Sequence, residues 1–350
     1  MKTIIKKVDK EEIEEAVIKK AAEILQSGGL VAFPTETVYG LGGDGLNPLA
    51  SEKIYRAKGR PSDNPLIIHI GDFETLDRLI TGKTEKMEKL IRSFWPGPLT
   101  VIFHKSSIVP METTGGLETV AIRMPEHPVA RKLIRDSGVC IAAPSANTSG
   151  RPSPTRAEHV IEDLRGKIDM IIDGGEVGIG LESTIVDMTG ETPVILRPGY
   201  ITREMLEKVM GKVDIDQAIL KKTDMKNPPK APGMKYRHYA PKGSLTIIRG
   251  EEDMVVKKIK ELAEEKIELG YETGIIATEE TKNQYTKGHV FSIGSRRDQG
   301  SIGQHLYSVL REFDKLGVQY IYSEAFSEEN FGQAIMNRLT KAAGYNILTV

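Results

Sequence analysis

Short apolar runs recur along the first 200 residues: LVAF (30–33), LIIHI (66–70), LTVIF (99–103), TVAIRM (119–124), VCIAA (139–143), MIID (170–173) and STIVDM (183–188). Each is too short for a helix and is rich in β-branched residues, so each reads as a buried strand. Between them, LASEKIYRAK (49–58) and the segments around 127–136 and 155–165 read as helices. Strands interleaved with helices up to about residue 210 imply an α/β domain built on a large twisted sheet. The runs at 183–188 and 194–197 are joined by a short turn, which makes the sheet mixed rather than purely parallel. At the N-terminus, Asp9 and Glu12 have the spacing of a capping box, predicting a helix from there through Gln26 with Gly28–Gly29 as its stop.

A low-hydrophobicity stretch, DQAILKKTDMKNPP (216–229), then breaks the pattern. Beyond it SLTIIRG, a helix at 251–268, TGIIAT, HVFSIG, a helix at 301–316, VQYIYSEAF and a helix at 331–343 alternate regularly. That is the pattern of a smaller doubly wound, Rossmann-like α/β unit. The chain therefore divides into a first domain at 1–212, a linker at 213–243 and a second domain at 244–350.

Composition excludes several function classes. Among 350 residues, 48 Lys+Arg balance 49 Asp+Glu, so there is no global basic field of the kind a dedicated nucleic-acid binder carries. The single cysteine, Cys140, rules out an internal disulfide and a thiolate zinc cluster, and in the apolar run GVCIAAP it reads as a small buried hydrophobe. The N-terminus lacks a signal-peptide core, and no run reaches the roughly 18 apolar residues of a membrane span. The expectation is a cytoplasmic protein.

Several familiar patterns fail on inspection. GLGGDG (40–45) fits G-x-G-x-x-G, but PTETVY separates it from the preceding strand, so it reads as a glycine-rich turn. TGKT (81–84) lacks the upstream glycine of a phosphate-binding loop, since Asp77 stands there. The seven histidines are scattered without a ligand pair, so no tightly bound metal is expected.

Other stretches carry more chemistry. In AKGRPSDNPL (57–66), Lys58 and Arg60 stand two apart around a glycine, where both can face one anion. AAPSANTSGRPSPT (142–155) sets Ser145, Asn147, Thr148, Ser149 and Ser153 at a strand's C-terminal end, a usual place for ligands in α/β sheets. AIRMP (121–125) puts Arg123 in a buried strand, where it needs an anionic partner, either a structural carboxylate or a ligand. ESTIVD (182–187) and ILRPG (195–199) add Ser183 and Arg197 at strand ends. Together these describe a pocket of cations and hydroxyls without a nucleophile signature, suited to positioning and charge stabilisation at a phosphate.

The set GGLVAFPTETVYGLG, AKGRPSDNPL, WPGPLT, TVAIRMP, APSANTSGRPSPT, ESTIVD and ILRPG, in this order, closely resembles the YrdC-type domain. APGMKYRHYAP followed by a small α/β domain with FGQAIMNR (331–338) resembles the long, two-domain threonylcarbamoyl-AMP synthases. The resemblance implies an enzyme that joins L-threonine, bicarbonate and ATP, with Mg²⁺, into threonylcarbamoyl-AMP and pyrophosphate. The product would feed the tRNA threonylcarbamoyl-transfer machinery, with at most weak RNA binding by the chain itself. By the same resemblance Lys58 and Arg60 would hold phosphates and act catalytically, with Asn64, Thr119, Ser145, Asn147, Ser153, Arg197, Tyr236 and His238 on ATP. Thr35, His69, Arg123, Ala143 and Ser183 would surround threonine, Arg123 taking its carboxylate. The linker KAPGMKYRHYAPK (230–242), with Tyr236, Arg237, His238 and Tyr239 facing the ligands, would act as a lid.

Overall fold

A computed structural model describes residues 2–220, 229–232 and 238–350. The chain forms two compact units: the first comprises Met1–Ser149, Ser153–Gly178 and Glu182–Lys235, the second Gly150–Pro152, Ile179–Leu181 and Tyr236–Val350.

In the first unit the strands are β1 (Ile4–Lys7), β2 (Val31–Phe33), β3 (Gly40–Asp44), β4 (Ile67–His69), β5 (Ile80–Thr81) and β6 (Leu99–Lys105). They continue as β7 (Thr119–Arg123), β8 (Ile141–Ala142), β9 (Met170–Asp173), β10 (Thr184–Asp187), β11 (Val194–Arg197) and β12 (Asp214–Ile215). Among the described residues they make one sheet in the order β1-β9-β2-β3-β8-β4-β7-β6-β10-β11-β12, with β5 on β6. The sheet is mixed: β4 runs parallel to β7 and antiparallel to β8, and β10 is parallel to β6 and antiparallel to β11.

Side chains alternate between faces along a strand, and the central strands use the alternation to separate two tasks. Ile68, Val101, Phe103, Val120, Ile122 and Val186 point into a large apolar core with the helices Phe73–Leu79, Glu85–Phe94 and Arg203–Met210 around it. The other face carries a smaller apolar cluster, Ile67, Ile102, Ala121 and Ile185, with Leu196 and Ala231 packed on it. Polar residues share this second face. Register sets His69 beside Arg123, Arg123 beside Thr100, Thr100 beside Ile185 and Ile185 beside Arg197.

Two local expectations change. GLGGDG is not a turn: Gly40–Asp44 is strand β3, paired with β2 and β8. Its glycines are required by crowding, since a Cβ at Gly42 would lie 2.7 Å from Ile141 and 2.8 Å from Phe33. The capping box does not open the first helix, which runs Glu15–Gln26, while Asp9 accepts the amide of Glu11 at 2.9 Å instead. Residues before it are drawn into β1, paired parallel to β9.

The second unit is a five-stranded sheet in the order β15-β14-β16-β13-β17, from β13 (Ser244–Arg249), β14 (Thr273–Ala277), β15 (His289–Ser292), β16 (Tyr320–Glu324) and β17 (Ile347–Thr349). Every pairing in it is parallel. Long helices at Glu252–Glu268, Gln299–Lys315 and Gly332–Ala342 provide the crossovers.

Candidate active site

The polar residues of the second sheet face of the first unit fall into two groups at opposite edges of the apolar floor. At one edge lie His69 and Arg123, the last residues of adjacent parallel strands. Arg123 is 4% exposed, and all three of its nitrogens are engaged. Nε donates to the carbonyl of Gly97 (3.3 Å), Nη1 to Thr37 Oγ1 (2.9 Å) and Nη2 to Glu36 Oε1 (2.5 Å). Burial raises the affinity of Glu36 for a proton, but the charge of Arg123, its hydrogen bond and the backbone amides of Glu36 and Glu126 together outweigh burial and hold the carboxyl below its usual range. His69 is buried beside them, with Nδ1 3.1 Å from the carbonyl of Ile67. Burial, and then the nearby Arg123 charge, push its pKa down to about 3, so the imidazole is neutral at physiological pH. Thr35 folds its own loop: its hydroxyl donates to the carbonyl of Val38 (2.6 Å), receives the amides of Thr37 and Val38 (3.2 Å each) and lies 2.9 Å from Thr37 Oγ1. Through Thr37 this loop is tied to Arg123.

The same edge continues onto β6, β10 and β11. Ser183 Oγ lies 2.7 Å from Thr100 Oγ1 and accepts Arg197 Nη2 at 3.2 Å, and Arg197 Nε donates to the Ser183 carbonyl at 3.1 Å. Ser153 donates to Glu182 Oε1 at 2.5 Å, directly before Ser183.

Toward the other edge the phosphate-type residues gather. Lys58 ends the helix Pro48–Lys58, whose stop is Gly59 at φ 63°. Only 2% of Lys58 is exposed. Its ammonium donates to the carbonyls of Ser145 and Asn147, the latter at 2.5 Å. Arg60 closes the turn that follows, donating to Asn64 Oδ1 (2.6 Å), the Asn64 carbonyl (3.1 Å) and the Pro65 carbonyl (3.0 Å). Asn64 is buried, and its Nδ2 has no hydrogen-bond partner among the described residues. Ser145 donates to Asn147 Oδ1 at 2.5 Å. Ala143 presents its amide to Ile67, level with Ala121 on β7. Thr119 begins β7 while Arg123 ends it, so the two stand on one face about 13 Å apart along the strand.

Family models account for both units. Residues 23–199 match the Sua5–YciO–YrdC model described as "Telomere recombination", and residues 201–344 match "Threonylcarbamoyl-AMP synthase, C-terminal domain". A chain from Pyrococcus abyssi named threonylcarbamoyl-AMP synthase is 49% identical over 341 residues, covering 97% of this chain and 98% of the relative. The chain belongs to the threonylcarbamoyl-AMP synthase family. A Bacillus subtilis member is 48% identical over 332 residues, covering 95% of this chain and 94% of its own. A crystal structure of Pyrococcus abyssi Sua5 complexed with L-threonine matches with a TM-score of 0.94 at 49% identity, covering 99% of this chain and 100% of that one.

Several site residues of this family member sit differently from the division expected of them. Ser183 and Arg197, assigned to different substrates, form one hydrogen-bonded unit. Lys58 and Arg60 do not project side by side from an extended strand; the first ends a helix and the second clamps a turn, and both grip backbone carbonyls. Tyr239 does not face an open site: it is buried in the second unit, its ring 5.3 Å from that of Tyr307 with Arg338 over it at 5.6 Å. His238 is also in the second unit, 5.5 Å from the Tyr239 ring. Tyr236, with Gly233, Lys235 and Arg237, lies outside the described residues. Of the linker, Ala231 is buried on the floor of the first unit, and the Pro232 carbonyl accepts from Arg197 at 3.5 Å.

Glu36, Thr37, Thr100 and Glu182 belong to the clusters and were not singled out from sequence. The usable signal was an acidic residue in PTETVYG, directly after a buried strand, where only a buried cation could accept it. Cys140 is buried in the core, and burial pushes its thiol up to about 11, so it is an inert apolar residue here. Among the described residues no group of three His, Cys, Asp or Glu is placed to hold a metal, and no helix is long and apolar enough to cross a membrane.

Proposed function

We propose that this chain is an L-threonylcarbamoyladenylate synthase, making threonylcarbamoyl-AMP and pyrophosphate from L-threonine, bicarbonate and ATP for the threonylcarbamoyladenosine modification of tRNA. The observation that carries this reading is similarity along the full length to chains of that name, one of them solved with L-threonine. The register of the sheet supports it, with hydroxyls and cations at both ends of one apolar floor.

In this reading the nucleotide lies along the floor from the Thr119 end, where Asn64, Ser145 and Asn147 gather. Lys58 and Arg60 supply positive charge to the triphosphate while shaping the loops that hold it, and Ser153 completes the nucleotide contacts. Threonine occupies the Arg123 end with His69, Thr35, the backbone of Ala143 and Ser183. Arg197 stands with Ser183 where the two substrates meet. A neutral His69 suits the threonine side chain, because it adds no charge beside Arg123.

The amine of threonine adds to bicarbonate, forming an N–C bond and releasing water, and leaves a carbamate. A carbamate oxygen attacks the α-phosphorus, the α–β phosphoanhydride bond breaks, and pyrophosphate departs. Arg60 and Lys58 offset charge on the leaving group. Mg²⁺ would enter on the triphosphate, as it does where phosphates and waters fill most of its coordination sphere, and would neutralise developing charge there. The product serves the tRNA threonylcarbamoyl-transfer machinery, which places the reaction in the cytoplasm.

Pyrophosphate release from ATP, measured with threonine and bicarbonate omitted in turn, tests the assignment. Release is expected only with both present. Full release without either one would overturn it.

A further inference from the structure

We propose that Glu36 is the residue that binds the substrate's α-ammonium group, so that Glu36 and Arg123 together form a preformed receptor for a zwitterionic α-amino acid. The inference rests on the function proposed above and goes beyond it by assigning a role to a residue that no substrate contact has so far required.

The geometry starts from an incomplete ion pair. Glu36 Oε1 takes the Arg123 hydrogen bond at 2.5 Å, but Oε2 is buried without a well-formed hydrogen bond among the described residues, the backbone amides of Glu36 and Glu126 giving the carboxyl only weaker support. A buried carboxylate oxygen without a donor is costly, and structures retain such atoms chiefly where a water, ion or ligand completes them. Among the described residues the one cation paired with Glu36 is Arg123, and it is bonded to Oε1. The imidazole of His127, which feels the Glu36 charge, is held toward its neutral form by burial. His69 is neutral as well.

Arg123 is incomplete in the complementary sense. A guanidinium has five N–H groups. One on Nε, one on Nη1 and one on Nη2 are used, which leaves one on each terminal nitrogen. Two such donors are what a carboxylate needs to be held through both of its oxygens. An open acceptor therefore stands beside two open donors, held together by a contact of 2.5 Å. In an α-amino acid a single carbon separates ammonium from carboxylate, so the two charges can be met by two neighbouring groups. Because the receptor pair is neutral overall and so is the zwitterion, binding adds no net charge to the buried site. A lone metal cation would satisfy Glu36 and leave the two donors of Arg123 unused.

Titration calorimetry with L-threonine and with β-hydroxybutyrate, which keeps the carboxylate and hydroxyl but lacks the amine, tests the assignment. Wild-type protein is expected to prefer threonine by about 10- to 100-fold, the range of a charge-assisted hydrogen bond. Glu36→Gln is expected to bind threonine only as well as the hydroxy acid, with hydroxy-acid affinity little changed. Retention of the threonine preference by Glu36→Gln, or equal loss of both ligands, overturns the role of Glu36 and leaves the overall function standing. Failure of the wild type to bind either ligand overturns the function itself. Should Glu36→Gln fail to fold, Glu36→Asp carries the test: it keeps the charge one methylene shorter and is expected to retain the preference. Its loss would count against the receptor.

Discussion

Each unit of the molecule buries a carboxylate against an arginine, and the two pairs are finished differently. In the second unit Glu324, fully buried at the end of β16, accepts Thr281 Oγ1 at 2.5 Å and the Tyr285 hydroxyl at 2.8 Å on one oxygen, and Arg296 on the other. Burial and then the Glu324 charge push the Tyr285 phenol up, so it remains a donor. In the first unit Glu36 has one oxygen bonded and the other without a well-formed hydrogen bond, next to an arginine with two N–H groups to spare. A buried ion pair is stabilising only when its remaining lone pairs and protons are met. At the Glu324 site both carboxylate oxygens are met internally, although Nε of Arg296 has no hydrogen-bond partner among the described residues, and the cluster is structural; the Glu36 site leaves a carboxylate oxygen for something that arrives.

The sharpest way to break this contrast is at the satisfied pair. Glu324→Gln keeps one oxygen for the two hydroxyls but turns an amide toward Arg296, donor against donor. Urea denaturation is expected to show a loss of about 3–5 kcal/mol, the usual cost of breaking a buried pair. A loss below about 1 kcal/mol would mean that the cluster is not structural and that the contrast is false.

Lys58→Ala comes next, because a second buried cation in the first unit also grips backbone carbonyls. If its charge serves the triphosphate, pyrophosphate release falls by at least about 100-fold, as when one preorganised charge is removed from a transition state. Circular dichroism should still report a folded chain. Near-full turnover would reduce Lys58 to a loop fastener.

Smaller again is the pH signature of His69. Its folded pKa, about 3, lies below the unfolded value of about 6.5, so the folded state favours the neutral ring. Stability from this source is complete above pH 6.5 and is lost as pH falls toward 3. The slope is at most about 1.4 kcal/mol per pH unit. His69→Gln should flatten the difference between chemical denaturation curves taken at pH 5 and pH 7. An unchanged difference would show that His69 stays charged when buried.

The central strands of both units were legible because each is a local apolar run, whereas β1, β3, β5, β12 and β17 were not. LIIHI, TVAIRM and MIID appear as β4, β7 and β9 with ends shifted by a residue or two. Arg123 was legible as a buried cation in need of an anion, but its partner was not, since the pairing with Glu36 spans 87 residues and depends on how the β2–β3 loop lies over the sheet. GLGGDG misled for a related reason: its glycines answer to Ile141 and Phe33, neighbours that exist only after the sheet has assembled. Ser183 and Arg197 were found singly, because their contact comes from the register of β10 on β11, which sequence spacing does not reveal.

Glu36→Gln closes the comparison with a smaller expected change in stability than Glu324→Gln. The substituted side chain can still offer Oε1 to Arg123, and its new amide nitrogen replaces an oxygen that had no well-formed hydrogen bond to lose. Unlike Glu324→Gln, it sets no donor against a donor. The expected cost in ligand-free protein is at most about 3 kcal/mol, the low end of the range for breaking a buried pair, because Arg123 loses its counter-charge but no hydrogen bond. The two variants differ again when ligand is present. Saturating threonine should stabilise wild type by roughly 2.7 kcal/mol at a hundredfold excess over Kd, and should do so far less for Glu36→Gln at the same concentration. A Glu36→Gln chain as destabilised as Glu324→Gln, and still protected by threonine like wild type, would make the two carboxylates alike.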